Sequence, residues 1–203
     1  QSAAGHREDR RGDLARSAAA AAARAGRQVN LAPIETALRR LPVLSGRHIH
    51  VRVIPDPHAL NGRLLSGGVR GQEVHAGSRI PAREMVLDVA LLDHPHEFAR
   101  IFLHELFHFV WVRLGNQCRY TYEQLLMGER AGGELGWSAE MRKLSLTPAD
   151  VSNRSRRWRE YACESFCDTG SWYSSGIAKH PEFTLPGPAR HARHRWFAKL
   201  CSR

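Results

Sequence analysis

The spacing of apolar residues along the chain switches between the period of helices, three to four residues, and the two-residue period of strands. Helical spacing predicts helices over residues 12–25 and 31–41. Residues 48–54 alternate between apolar and polar side chains, which is typical of a half-buried strand. A short strand over 73–76 and an apolar strand over 85–92 follow. The first half of the chain therefore combines helices with a small sheet.

The second half of the chain has helical spacing almost throughout. Pro95 suits the first position of a long helix across the apolar run 98–111, and Gly115 suits its end. Further helices are predicted over 122–130, 138–144, 158–173 and 189–200. We therefore expect an α+β fold, in which a small mixed or antiparallel sheet packs on the 98–111 helix.

Size and composition favour one globular domain. The chain has 203 residues, of which 42% are hydrophobic and 25% charged, and these are ordinary values for a soluble protein. We expect packing helices in 1–45, the sheet and long helix in 46–115, and a helical part in 116–203. Residues 120–150 form an insertion within the helical part. No apolar run approaches the length of a membrane span.

The formal net charge of +10 favours acidic partners, such as nucleic acid or acidic proteins. The positive charges are spread over several segments, and the chain carries no recognised nucleic-acid-binding motif. A basic solvated surface is therefore the simpler interpretation.

The four cysteines favour reduced thiols. Cys163 and Cys167 lie four residues apart on a predicted helix, which is a poor geometry for a disulfide between them. Cys118 and Cys201 are isolated in the sequence. Free thiols are more common in a cytoplasmic setting, which favours that compartment and leaves the localisation open.

The long helix contains the sequence His104-Glu105-Leu106-Phe107-His108. Residues four apart lie on one helix face, so both imidazoles can bind a single metal ion. Glu105 is rotated about 100° from His104 and can act beside the ion as a general base. The alternative is a buried helix whose two histidines are hydrogen-bonded polar groups of the core.

A hydrolytic zinc site needs three protein ligands and one open position for water, so the chain must supply a third ligand. Glu160, Glu164 and Asp168 share one face of the 158–173 helix. Like charges on one face repel unless a cation or basic residues compensate, which makes this face a candidate metal site. Cys163 and Cys167, on the flanks of that face, are either soft zinc ligands or small core residues.

The pattern His104-Glu105-x-x-His108 followed by Glu164-x-x-x-Asp168 resembles the gluzincins, the thermolysin-like zinc metallopeptidases. The resemblance implies a zincin-like fold in which His104, His108 and Glu164 bind zinc. It also implies that Glu105 is the base and that Asp168 hydrogen-bonds a ligand histidine, most simply His104. Glu160 remains the rival third ligand, with Glu164 then in the supporting role.

The resemblance covers two helices and the strand before the first of them. Cys163 stands where the family has an asparagine. The metzincin pattern is excluded, because Trp111 occupies its glycine position and Leu114 its third histidine position. Three residues near the third ligand are candidates for stabilising an oxyanion, and their spacing does not select among them: Tyr161, Tyr173 and His180.

The sequence thus predicts a zinc-dependent metallopeptidase, a hydrolase and most simply an endopeptidase, that cleaves a peptide or protein substrate through a metal-activated water. The alternative is a non-catalytic zinc-binding module whose basic surface binds nucleic acid or a protein partner. Glu105 favours the enzyme, because a structural zinc site closes its fourth position and has no use for a base.

Overall fold

The computed structural model describes residues 9–41, 46–60, 63–66, 71–129 and 132–201. Over these residues the protein is a mixed α+β structure with two small sheets and eight α-helices. The chain forms two compact units, Gln1–Phe102 and Leu103–Arg203. Each described helix is too short or too polar to cross a membrane.

The first unit begins with the two predicted helices, α1 (Arg11–Arg24) and α2 (Ala32–Arg39). The Ala32 backbone N–H donates to the Asn30 side chain at 3.0 Å, which satisfies one of the free donors at the start of α2. Each helix turns its apolar stripe into the core of this unit. The buried side chains include Leu14, Ala18, Ile34 and Leu38.

Six strands form two three-stranded sheets in the first unit. They are β1 (His50–Ile54), β2 (Pro57–Leu60), β3 (Arg63–Ser66), β4 (Gln72–Glu73), β5 (Ala76–Arg79) and β6 (Glu84–Asp88). The first sheet has the order β1-β6-β5 and is mixed, since β6 runs parallel to β1 and antiparallel to β5. The second sheet, β3-β2-β4, is antiparallel. The middle strand β6 is the most apolar, with Met85, Val86 and Leu87 all buried.

Two strand predictions for this region are wrong, and one hairpin was missed. The predicted strand 85–92 ends at Asp88, because the Asp88 side chain accepts the Ala90 N–H at 3.0 Å and starts a 3-10 helix, Val89–Asp93. The predicted strand 73–76 is divided between the end of β4 and the start of β5. The β2–β3 hairpin was not predicted, because prolines normally interrupt strands; Pro57 is accommodated as the first residue of its strand.

The long predicted helix is α3 (Pro95–Trp111), which ends before the predicted stop at Gly115. The second unit continues with α4 (Asn116–Gly128), α5 (Trp137–Leu144), α6 (Pro148–Ser152), α7 (Arg156–Ser175) and α8 (Gly187–Cys201). Of these, α4 begins earlier than predicted and α6 was not predicted. A capping box between Thr147 and Asp150 stabilises the start of α6.

Aromatic rings fill the space between α3, α7 and α8 in the second unit. Phe166 lies 5.7 Å from Phe107 and 5.0 Å from Phe197, measured between ring centroids. Gly170 of α7 faces Phe107 so closely that an added β-carbon would lie 2.7 Å from the ring. The absence of a side chain at Gly170 therefore permits the close approach of α7 to α3.

A buried ion-pair network joins α8 to the segment before α5. The fully buried Arg193 guanidinium donates to both carboxylates of Glu129 and Glu134, at distances from 2.6 to 3.0 Å. The Tyr161 hydroxyl donates to Glu134 at 2.6 Å. Burial raises the pKa of Glu134, but the charge and hydrogen bonds of Arg193 outweigh burial and hold that pKa below its ordinary value. The network ties Glu129 and Glu134 to α8, and Glu134 also to α7.

Candidate metal centre

The described structure brings the three predicted ligands together between α3 and α7. Nε2 of His104 lies 3.2 Å from Nε2 of His108. Oε2 of Glu164 lies 3.3 Å from the first of these nitrogens and 3.8 Å from the second. One turn of α3 thus supplies two imidazoles, and α7 supplies the carboxylate that faces both.

Asp168 holds the other nitrogen of His104. Its Oδ1 lies 2.7 Å from His104 Nδ1, and its Oδ2 accepts the Ala139 backbone N–H at 3.2 Å and the Ser138 hydroxyl at 3.4 Å. Gly136 packs directly against this carboxylate, where a β-carbon would come within 2.3 Å. The start of α5 therefore fixes Asp168, and Asp168 fixes the orientation of the His104 ring.

The second oxygen of Glu164 is held by Arg142, also from α5. Arg142 Nε lies 3.5 Å from Glu164 Oε1, which leaves Oε2 facing the histidines. Glu160, the rival third ligand, pairs instead with two arginines: with Arg142 at 3.0 Å and with Arg156 at 2.7 Å. This arrangement favours Glu164 over Glu160 as the carboxylate of the centre.

Glu105 lies beside the two histidines, as its position in the motif predicts. One carboxylate oxygen of Glu105 and one ring nitrogen of each histidine all lie within 4.8 Å of one another. The Glu105 side chain is buried beside these histidines. Its carboxylate is therefore placed to exchange a proton with a molecule bound between the histidines.

The two cysteines of α7 differ in their surroundings. Cys167 is fully buried, as expected of a small core residue. Cys163 is not only a core residue, because its Sγ lies 3.5 Å from His108 Nδ1. Potential ligand atoms of His108, Cys163 and Cys167 all lie within 4.8 Å of one another. Among the described residues, two groups of side chains could thus hold a metal ion, and His108 belongs to both. All four cysteines are free thiols.

Electrostatics in the centre reflect strong pairing between histidine and carboxylate. Burial lowers the pKa of His104, but the Asp168 and Glu164 carboxylates outweigh burial and raise it well above its ordinary value. Burial raises the pKa of Glu164, yet its hydrogen bond with His104 and the nearby positive charges bring it to about 2. The Cys163 pKa is lowered to about 6, first by the hydrogen bond from Cys167. A metal ion would have to displace a proton from the His104 imidazole, so metal binding and proton release are coupled.

Sequence reasoning missed the role of α5 in this centre. The predicted insertion 120–150 contains Gly136, Ser138 and Arg142, whose contacts with Asp168 and Glu164 are described above. Gly136 precedes the predicted 138–144 helix, where a glycine is also an ordinary separator between helices. No spacing rule connects these residues to Glu164 and Asp168, which lie on a separate helix later in the chain.

The three predicted oxyanion candidates make other contacts, and no described contact selects one of them. Tyr161 is committed to the buried Glu134 carboxylate. The Tyr173 ring packs 5.0 Å from the ring of His194, and His180 Nδ1 accepts the Glu182 backbone N–H at 3.2 Å. The oxyanion role therefore stays unassigned.

Comparison of the chain with models of protein families, with curated proteins and with solved structures gives no match. The assignment of a function consequently depends on the chemistry of the residues themselves.

Proposed function

We propose that this protein is a zinc-dependent metallopeptidase with a zincin-like, gluzincin-type centre. One observation carries the proposal: Nε2 of His104, Nε2 of His108 and Oε2 of Glu164 converge within 3.2–3.8 Å. Two imidazole nitrogens and one carboxylate oxygen that point at one another are the donor set of a metal ion held by two histidines and one glutamate.

The separations between these atoms fit zinc. In a tetrahedral site with bonds of about 2.0 Å, two ligand atoms lie about 3.3 Å apart. The distances from His104 Nε2 to the other two atoms are 3.2 and 3.3 Å, and only the His108–Glu164 distance of 3.8 Å is longer. Two histidines with one glutamate, leaving one open position, is also a donor set of hydrolytic zinc sites.

Each residue has a distinct part in the proposed hydrolysis. When bound, zinc would supply a Lewis acid that activates water and polarises a peptide carbonyl. The Glu105 carboxylate takes a proton from the attacking water and returns it to the leaving amine. Asp168 keeps the proton of His104 on Nδ1, so that the lone pair of Nε2 points into the centre. Arg142 holds Glu164 Oε1 and directs Oε2 to the same point.

Elemental analysis tests the ligand set. We expect close to one zinc per chain in the unmodified protein and a clear loss in Glu164→Ala, both purified without added metal. Glu160→Ala is the matched control, because it removes a carboxylate one turn away on the same helix. If zinc persists in Glu164→Ala but is lost in Glu160→Ala, then Glu160 is the third ligand and Glu164 has the supporting role. An unmodified protein that cannot be loaded with zinc would refute the proposal.

Cleavage of a peptide library tests the chemistry. Glu105→Gln should retain zinc and lose hydrolysis, since the amide cannot accept the proton. Equal hydrolysis by the unmodified protein and this variant would refute the proposed mechanism.

A second candidate is a non-catalytic zinc-binding module that binds nucleic acid. It is favoured by a cavity of about 530 Å³ in the second unit, in which guanidinium groups lie over aromatic rings. Arg119 lies 5.9 Å from the ring of Trp111, and Arg154 lies 5.0 Å from the ring of Tyr120. Rings and guanidinium groups together suit stacked bases and phosphates. Salt-dependent binding of single strands, together with inactivity on every peptide, would favour this candidate.

A further inference from the structure

His108 presents its two ring nitrogens to two different groups. Nε2 faces His104 at 3.2 Å, as the proposed zinc centre requires. Nδ1 faces Cys163 Sγ at 3.5 Å. In His104 the corresponding Nδ1 is held by the Asp168 carboxylate, which is not a competing soft ligand. The two histidines of the motif therefore have different partners on their outer sides.

The thiol beside His108 is one of a pair. Cys163 and Cys167 are one turn apart on α7. Potential ligand atoms of both cysteines and of His108 lie within 4.8 Å of one another. Two sulfurs and one ring nitrogen thus lie close enough together to share one ion, and Nδ1 is the nitrogen that faces Cys163.

The spacing of these atoms suits a tetrahedral ion. With metal–sulfur bonds of about 2.3 Å and a metal–nitrogen bond of about 2.0 Å, sulfur and nitrogen ligands lie about 3.5 Å apart. The distance from Cys163 Sγ to His108 Nδ1 is 3.5 Å. Thiolate ligands select soft ions with filled d shells, such as Zn²⁺ and Cu⁺, over hard oxygen-seeking ions.

We propose that Cys163, Cys167 and His108 Nδ1 form a second metal site, which takes a thiophilic d¹⁰ cation. Binding displaces the two thiol protons, and the imidazole keeps its single proton on Nε2. Cys167 is buried and Cys163 and His108 are half-buried, so the ion enters from the side of these two residues.

Sharing His108 makes the two sites compete. A neutral imidazole has one lone pair, so an ion on Nδ1 leaves a proton on Nε2 and withdraws His108 from the His104–Glu164 side. A thiophilic ion would therefore antagonise metal at the first centre, and the antagonism is reciprocal. This consequence rests on the proposed zinc centre, whereas the thiolate site itself does not.

Cadmium is the probe for the site, because cadmium–thiolate bonds absorb in the ultraviolet and nitrogen or oxygen ligation does not. We expect the absorption of the unmodified protein to saturate at one equivalent of Cd²⁺. The double variant Cys118→Ser with Cys201→Ser should give the same titration. The double variant Cys163→Ser with Cys167→Ser should lose the absorption, and full absorption in that variant would overturn the proposal.

Two further measurements separate this site from the first centre and from a folding defect. His104→Ala removes a ligand of the first centre only, so its cadmium absorption should match that of the unmodified protein. Loss of the absorption in a folded His104→Ala variant would overturn a separate site. In the unmodified protein, bound Cd²⁺ should protect Cys163 from iodoacetamide while Cys118 continues to react, as read by mass spectrometry. Unchanged alkylation of Cys163 would also refute the site.

Discussion

Gly136 allows a steric test of how the segment before α5 supports the centre. A β-carbon on Gly136 would lie 2.3–2.4 Å from the carboxyl atoms of Asp168, whereas ordinary contacts begin at 3.4 Å. The backbone at Gly136 is extended, with φ −179°, so alanine can adopt it without strain. The Gly136→Ala change therefore acts by pushing the Asp168 carboxylate back by about 1 Å.

The size of the effect follows from the bond that this shift breaks. The contact between Asp168 and His104 Nδ1 is 2.7 Å. A retreat of about 1 Å takes the two atoms beyond hydrogen-bond distance and frees the imidazole to rotate or change tautomer. Loss of such a support for a ligand histidine costs about 10–100-fold in metal affinity. We therefore expect the zinc affinity of Gly136→Ala to fall by about that factor.

Isothermal titration calorimetry with zinc measures this change. Gly132→Ala is the matched control, since a β-carbon at Gly132 meets nothing within 4 Å. Thermal unfolding of both variants without added metal checks that the fold is retained. If Gly136→Ala binds zinc within about twofold of the unmodified protein, the proposed dependence of His104 on Asp168 is refuted.

Further substitutions test the packing that positions the centre. Gly170→Ala should destabilise the protein, because the alanine methyl group would meet the Phe107 ring at 2.7 Å. This clash opposes the better helix propensity of alanine, which is worth about 1 kcal/mol. An increase in thermal stability would contradict the close approach of α7 to α3. Glu134→Gln should cost about 3 kcal/mol in urea unfolding at pH 7, because Arg193 loses a buried charged partner. The Glu134 pKa is lower in the folded state, so its contribution is present above the unfolded pKa near 4.5 and is lost as pH falls through the folded pKa. The cost of Glu134→Gln should therefore shrink towards pH 3, and a cost that is the same at both pH values would contradict this assignment.

The sequence carried most of the information on where helices form, because helical periodicity is local. Both N-terminal helices, α3 and α7 were predicted close to their observed bounds. The errors occur where one side chain decides between two local structures. The end of β6 is the clearest example. The apolar pattern of a strand resumes after Asp88, but the Asp88 carboxylate caps a 3-10 helix there.

The candidate centre was predictable only as far as residues share one helix. The turn of α3 that carries His104 and His108, and the acidic face of α7, follow from a spacing of four residues. The contact between His108 and Cys163 depends on how α3 crosses α7, which Gly170 and the aromatic core determine. Neither the crossing nor the position of α5 has a local signature, so these contacts could not be predicted from periodicity.

The acidic face of α7 turns out to be weaker support for a metal than its sequence suggests. Stacked carboxylates need compensation, and arginines provide much of it here, since Arg142 contacts both Glu160 and Glu164. Support for a metal therefore rests on the geometry of the histidines with Glu164 Oε2, and not on the number of acidic groups.

This distinction predicts which of two supporting residues matters more for zinc affinity. Arg142 of α5 holds Glu164, and Asp168 of α7 holds His104. Arg142 is 42% exposed, so its ion pair with Glu164 is screened by solvent and worth less than about 1 kcal/mol, or about fivefold in affinity. The Asp168 carboxylate is 3% exposed and bonds a ligand directly, so its support is worth about 10–100-fold. We therefore expect Arg142→Gln to weaken zinc binding less than Asp168→Ala in the same calorimetric assay. The reverse order would mean that Glu164 is held in place chiefly by Arg142, and that the charge of α5, not the orientation of His104, controls the centre.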